Sequence, residues 1–260
     1  NNRTVPTATT HGPHAAQGPL VLAENIGWWP DSLDWRDGLV PAHGDVDVNP
    51  RLCGTCHVES FEVTDAATGD FVFQSVGHLF EAIPCLDANG IPVPGGNCTT
   101  DQRTFTACVR CHMTEDIARS AYELFKAELT GYLKKVWNDA NGNDILDTGD
   151  TGLLVSIVAQ EGGRVLDASD ELFTVAEGIL WNAQLARTDD APWFGDFHIE
   201  VTTGNFLEIG GHPASGNGVH NPKFLRALMI ASINHGAAHY GVPNPLPVEL
   251  RVLPEGVVRK

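Results

Sequence analysis

The most regular alternation of hydrophobic and polar positions runs from Thr104 through Trp137. Apolar residues recur there in steps of three and four, at Ala118, Ala121, Tyr122, Phe125, Leu129, Tyr132, Leu133 and Val136, the spacing that lines one face of an α-helix. Glu115, Asp116, Arg119, Glu123, Lys126, Lys134 and Lys135 fall mainly elsewhere, acids early and bases late, as the helix dipole favours. Residues 153–160 and 173–187 predict two shorter helices, the second capped by Asp170 or Thr174 and carrying Leu172, Val175, Ile179, Leu180, Trp181 and Leu185. Asn221 as cap and Pro222 as first helical residue open a last helix, with Phe224, Leu225, Leu228, Met229 and Ile233 on its apolar face. Strand signals are few: Phe71-Val72-Phe73, and Val248 to Val252 in a proline-punctuated tail. The expected fold class is mainly α, with much irregular loop (188–219 above all) and a few short strands.

Residues 1–20 are rich in Thr, Pro and Ala and have neither helical nor strand periodicity. They are expected to form an extended N-terminal arm, with 21–260 as a single domain. Within 21–52, Trp28, Trp29 and Trp35 stand among Gly27, Pro30, Gly38, Pro41 and Pro50. Aromatics outside regular structure either pack a core or lie over a flat prosthetic group.

Two identical signatures bracket residues 53–112: Cys53-Gly54-Thr55-Cys56-His57 and Cys108-Val109-Arg110-Cys111-His112. C-x-x-C-H is the attachment motif of c-type haem, in which two thiols bond the porphyrin and the His ligates its iron. The sequence therefore predicts a cytochrome domain organised around two covalent haems c, with His57 and His112 as proximal ligands. Zinc ribbons keep their C-x-x-C pairs roughly 15–20 residues apart. The gap here is much longer, and zinc gives no reason for a His after both pairs. The remaining cysteines, Cys85 and Cys98, flank a Gly/Pro-rich loop and are expected to staple it with a disulfide worth about 3 kcal/mol in the chain-entropy model.

Each iron needs a sixth ligand. Met113 follows its own proximal His, and Met229 sits on the core face of a predicted helix, whereas nine of the 11 His remain. Bis-His ligation of both irons is the economical expectation. His78 and His220 lead, since each lies in a Gly-flanked loop next to an anchored element; His43, His239, His11 and His14 are the alternates. Lys223 and Arg226, a turn beyond His220, are placed to meet haem propionates. Downstream of the long helix, Asp139, Asn141, Asn143, Asp147 and Asp150 resemble the oxygen ligands of a calcium loop. Asp144 stands where the turn glycine would be and Asp150 where the closing Glu would be, so a plain acidic turn is the competing expectation.

A net charge of −17 argues against nucleic acid and anionic membrane surfaces as partners. Covalent haem and a disulfide both point to an oxidising compartment, periplasmic or extracellular. No apolar run approaches the roughly 18 residues of a membrane span, and the polar start Asn1-Asn2-Arg3-Thr4 reads as a processed end.

The run from His78 to Asp87, then Cys98, then Arg103-Thr104-Phe105-Thr106-Ala107-Cys108, resembles the multihaem c-type cytochromes of bacterial respiration. Gly218-Val219-His220-Asn221-Pro222 is similar to the element those proteins use to place a distal His, so the resemblance also implies distal roles for His78 and His220. It implies electron transfer to other redox proteins or extracellular acceptors, and relatives that polymerise into conducting filaments make a homo-oligomer or homopolymer the expected assembly. A periplasmic di-haem enzyme, a peroxidase or small-oxyanion reductase with one open iron, is the alternative.

Overall fold

The helices of the second half of the chain carry most of the buried apolar residues. A computed structural model of the chain describes residues 17–22, 26–30, 33, 39–58, 60–65, 67–76, 81–93, 98–142, 146–166, 173–187, 196–200, 205–209 and 217–251. Its helices are α1 (Gln17–Val21), α2 (Cys53–His57), α3 (Val109–His112), α4 (Glu115–Val136), α5 (Leu153–Glu161), α6 (Val175–Ala186), α7 (Asn217–His220) and α8 (Pro222–Tyr240). Three antiparallel two-stranded pairs accompany them: β1 (Ser60–Thr64) with β2 (Phe71–Val76), β3 (Cys85–Leu86) with β4 (Pro92–Val93), and β5 (Asp196–Glu200) with β6 (Asn205–Ile209). The fold is thus mainly α with short strands. Among the described residues no helix is long and apolar enough to cross a membrane.

Two compact units result, Ala42–Phe125 and a larger one made of Asn1–Pro41 with Lys126–Lys260. In the larger unit, α6 packs on α8. Gly236 lets α8 come close, since a Cβ there would stand 2.3 Å from Ile179 Cδ1; Gly178 likewise leaves room for the Trp28 ring. Trp28 therefore packs against the core helices, the first of the two roles open to that aromatic cluster; Trp35 lies outside the described residues. Asn182, fully buried on α6, accepts from the Trp28 N–H at 2.8 Å. Its Nδ2 donates to the Trp28 carbonyl at 2.7 Å and to Ser232 Oγ at 2.9 Å. One amide thereby pairs the backbone of an irregular segment that has no ladder of its own.

Asn221 plays the same part at the head of α8. Its Oδ1 accepts from the Phe224 N–H at 3.0 Å, the expected cap, and its Nδ2 donates to the carbonyls of Leu20 and Leu39 at 3.0 and 2.9 Å. Leu20 is fully buried on α1, so part of the stretch expected to be an extended arm is helical; residues 1–16 lie outside the described residues. Of the two caps the sequence allows, Asp170 and Thr174, it is Thr174 that caps α6, in a reciprocal box with Glu177.

Three expectations need correction. The long helix does not start at Thr104: α4 begins at Glu115, because the Glu115 carboxylate draws the preceding segment into a tight turn. It accepts from the Phe105 N–H at 2.7 Å and from the hydroxyls of Thr104 and Thr106 at 3.1 and 2.8 Å, offering the backbone a local alternative to helix. Val248–Leu250 is a 3-10 turn rather than a strand; Arg251 clamps it by donating to the carbonyls of Leu246 and Asn244 at 2.9 and 3.1 Å. The loop-rich stretch 188–219 contains the β5–β6 pair.

Candidate functional site

Both C-x-x-C-H motifs belong to the smaller unit, and each forms a short helical turn. Spacings of three and four residues place Cys53, Cys56 and His57 on one face of α2, and Cys108, Cys111 and His112 along the turn leading through α3. The α2 helix packs against the 3-10 turn Thr106–Cys108, bringing the two motifs together. Cys53 and Cys111 are exposed, Cys56 and Cys108 half-buried, and none of the four is in a disulfide. The remaining pair, Cys85 and Cys98, is joined as expected.

The chain around each motif is held by specific polar side chains. Upstream of α2, Asn49 is buried: its Nδ2 donates to the His43 carbonyl at 2.7 Å and to the Leu52 carbonyl at 3.2 Å. Its Oδ1 accepts from the hydroxyl of Thr55, which lies between the two cysteines and is itself buried. These bonds surround Leu52, whose φ of 45° is uncommon for a residue with a side chain. At the second motif the Glu115 turn fixes the approach to Cys108. Phe105, nearly fully buried, meets the Tyr122 ring edge-on at 5.6 Å and lies under the Arg119 guanidinium at 5.4 Å. Met113, with φ 70°, ends α3 and separates it from α4. His112 is therefore carried on its own short turn, not on the long helix.

Burial pushes the Cys108 thiol up to about 12, helped by negative charge at Cys56, Glu115 and Cys111. Burial also holds the His112 imidazole below its ordinary value, and His43 acts in the same direction. A neutral imidazole is the form that ligates a metal. The His43 and His112 ring centroids are 6.2 Å apart, with the ring planes inclined at 58°.

No family model, curated protein or solved structure matches this chain. The chemistry of the site is read from its own donors. Among the described residues no group of three or more His, Cys, Asp or Glu gathers as a protein-held metal ion would require, although all four thiols and both motif histidines are described. Two thiols three residues apart on a helical turn, with an imidazole directly after the second, are the donor set that a covalently attached porphyrin would use.

Of the other predicted ligands, His78, His11, His14 and Asn143 lie outside the described residues. His220 ends α7, half-buried, immediately before the Asn221 brace. His239 is exposed near the end of α8, its ring 4.7 Å from that of Tyr240 and stacked 6.0 Å from His235. The His235–His239 pair was legible only as an i, i+4 spacing. In the acidic loop, Asp139 accepts from the Gly142 N–H at 2.7 Å, and Asn141 donates to Asp147 at 3.1 Å. The buried Asp150 carboxylate accepts from Trp137 Nε1 at 2.8 Å, from the Ala140 N–H at 3.1 Å and from the Asp147 N–H at 3.2 Å. Its described oxygens thus brace the turn that follows α4.

Proposed function

We propose that this chain is a di-haem c-type cytochrome that carries electrons. The observation that supports this best is how the cysteines divide: two close a disulfide, and the other four stand as thiols in two helical C-x-x-C-H turns that pack together. When bound, haem iron supplies a one-electron couple. The chain's part is to hold each porphyrin by two thioethers, to present His57 and His112 as fixed ligands, and to keep the attachment turns rigid through Asn49 and Glu115. The disulfide and the thioether chemistry suit an extracellular or periplasmic setting. An acidic surface, with net charge −17, suits cationic redox partners or acceptors. Assembly with further copies, up to a filament, extends this reading.

The test is production in a host equipped for cytochrome c maturation, followed by haem counting under denaturing conditions. Two covalent haems per chain are expected, falling to one when Cys53 and Cys56, or Cys108 and Cys111, are both replaced by Ala. A chain that leaves such a host without covalent haem overturns the proposal.

A further inference from the structure

An imidazole–metal–imidazole unit with metal–nitrogen bonds of about 2 Å on opposite sides puts its ring centroids about 6 Å apart. The His43 and His112 rings stand at 6.2 Å. Both are half-buried, and both belong to the same compact unit. His112 is the motif histidine of Cys108 and Cys111, so the centroid separation puts His43 within reach of an iron that His112 would hold.

We infer that His43 is the sixth ligand of the iron held by His112, and that Asn49 is the residue that positions it. This rests on the proposed cytochrome reading and adds to it the identity of one axial ligand and its support. The support is built rather than incidental. The Asn49 amide grips the His43 backbone carbonyl at 2.7 Å from within the protein, where the residue is 7% exposed. The same side chain takes the Thr55 hydroxyl and donates to the Leu52 carbonyl. Asn49 therefore ties the ligand of one haem to the helix that carries the other haem's Cys53, Cys56 and His57. The segment 43–57 serves both sites: it brings the sixth ligand to the second haem and the attachment turn to the first.

His43 was an alternate on sequence grounds, behind His78 and His220, because nothing in its local sequence marks it as anchored. The anchor is Asn49, six residues on, and its partners become apparent only when the turn between them is folded.

The experiment uses the full chain matured with haem, comparing the parent with His43→Ala. With two haems retained, the variant is expected to bind one more CO per chain in the ferrous state than the parent does. One of its low-spin ferric signals should become high-spin, and added imidazole should restore it. Two haems with CO stoichiometry and spin states identical to the parent would mean that the two rings are merely neighbours, and would overturn the inference while leaving the cytochrome reading intact. A parent without covalent haem would overturn that reading instead. Should His43→Ala fail to accumulate, His43→Met keeps a ligating side chain: one haem is then expected to show a raised potential, and two unchanged potentials count against His43. Asn49→Asp removes the amide donor while preserving shape. It is expected to admit CO to that same haem more slowly than His43→Ala does, and full exclusion of CO, as in the parent, would refute the positioning role.

Discussion

Cys108 and Cys111 belong to one motif but differ in surroundings, and the difference is chemical. Cys111 is exposed, whereas burial and nearby negative charge lift the Cys108 thiol to about 12. Alkylation proceeds through the thiolate. In the folded haem-free chain at pH 8, the Cys108 thiolate fraction is on the order of a thousandfold below that of an ordinary thiol with a pKa of about 8.5. Mass-spectrometric mapping after a short iodoacetamide pulse should find Cys111 and Cys53 modified well before Cys108, and equal labelling of all four would contradict the burial. The linked stability has a definite sign. The folded chain keeps the Cys108 proton to higher pH than the unfolded chain, so this contribution is complete below about pH 8.5 and is lost as pH rises toward 12. Residue chemistry of this kind is invisible in the C-x-x-C-H string, which treats its two thiols alike. It arises from the burial of Cys108 and from the charges at Cys56, Glu115 and Cys111, which only the folded turn brings near it.

At the scale of elements, two helical glycines show how context sets the sign of one substitution. Gly131 in α4 has nothing within 4 Å of a would-be Cβ, whereas at Gly178 in α6 that carbon would lie 2.3 Å from Cδ2 of Trp28. Gly131→Ala is expected to stabilise the chain by about 1 kcal/mol through helix propensity. Gly178→Ala is expected to cost about 2 kcal/mol, the overpacking penalty outweighing the same propensity gain. Urea denaturation midpoints should move in opposite directions, and a shift of both the same way would remove Trp28 from the α6 surface. Elements whose signals were local were legible in sequence: the Thr174 cap, the Asn221-Pro222 start and the periodicity of α4 all appear where expected. Those decided by long-range or side-chain-to-backbone bonds were not. The start of α4 moved because Glu115 recruits Thr104 and Thr106, and Val248–Leu250 became a 3-10 turn under the Arg251 clamp.

Across the whole molecule, apolar burial is concentrated in one unit and covalent constraint in the other. The larger unit is held by fully buried side chains such as Leu153, Ile179, Leu225 and Leu228, with Asn182 and Asn221 pairing the polar backbone between them. Much of that was legible as hydrophobic periodicity. The smaller unit has short strands, exposed apolar side chains such as Phe71 and Ile91, and the Cys85–Cys98 bridge across 13 residues of chain. Its two motifs and its disulfide were legible, but the approach of the His43 ring to that of His112 was not, since the turn that carries His43 is held by Asn49. The bridge sits at the start of β3, where Cys85 pairs with both Val93 and Arg103. Removing it by Cys85→Ser with Cys98→Ser should release chain entropy worth about 3 kcal/mol in the unfolded segment. That loss should be local, because unequal stabilities let one region open without the other. In native-state hydrogen exchange, the amides of Asp87 and Thr104, bonded to the carbonyls of Ile91 and Pro84 at 2.9 and 3.2 Å, should exchange about a hundredfold faster. The amide of Leu225, bonded to Asn221 at 3.1 Å at the head of α8, should keep its rate. A uniform acceleration through both units would show that the bridge supports the whole chain, and unchanged rates at Asp87 would show that the β3–β4 pair stands without it.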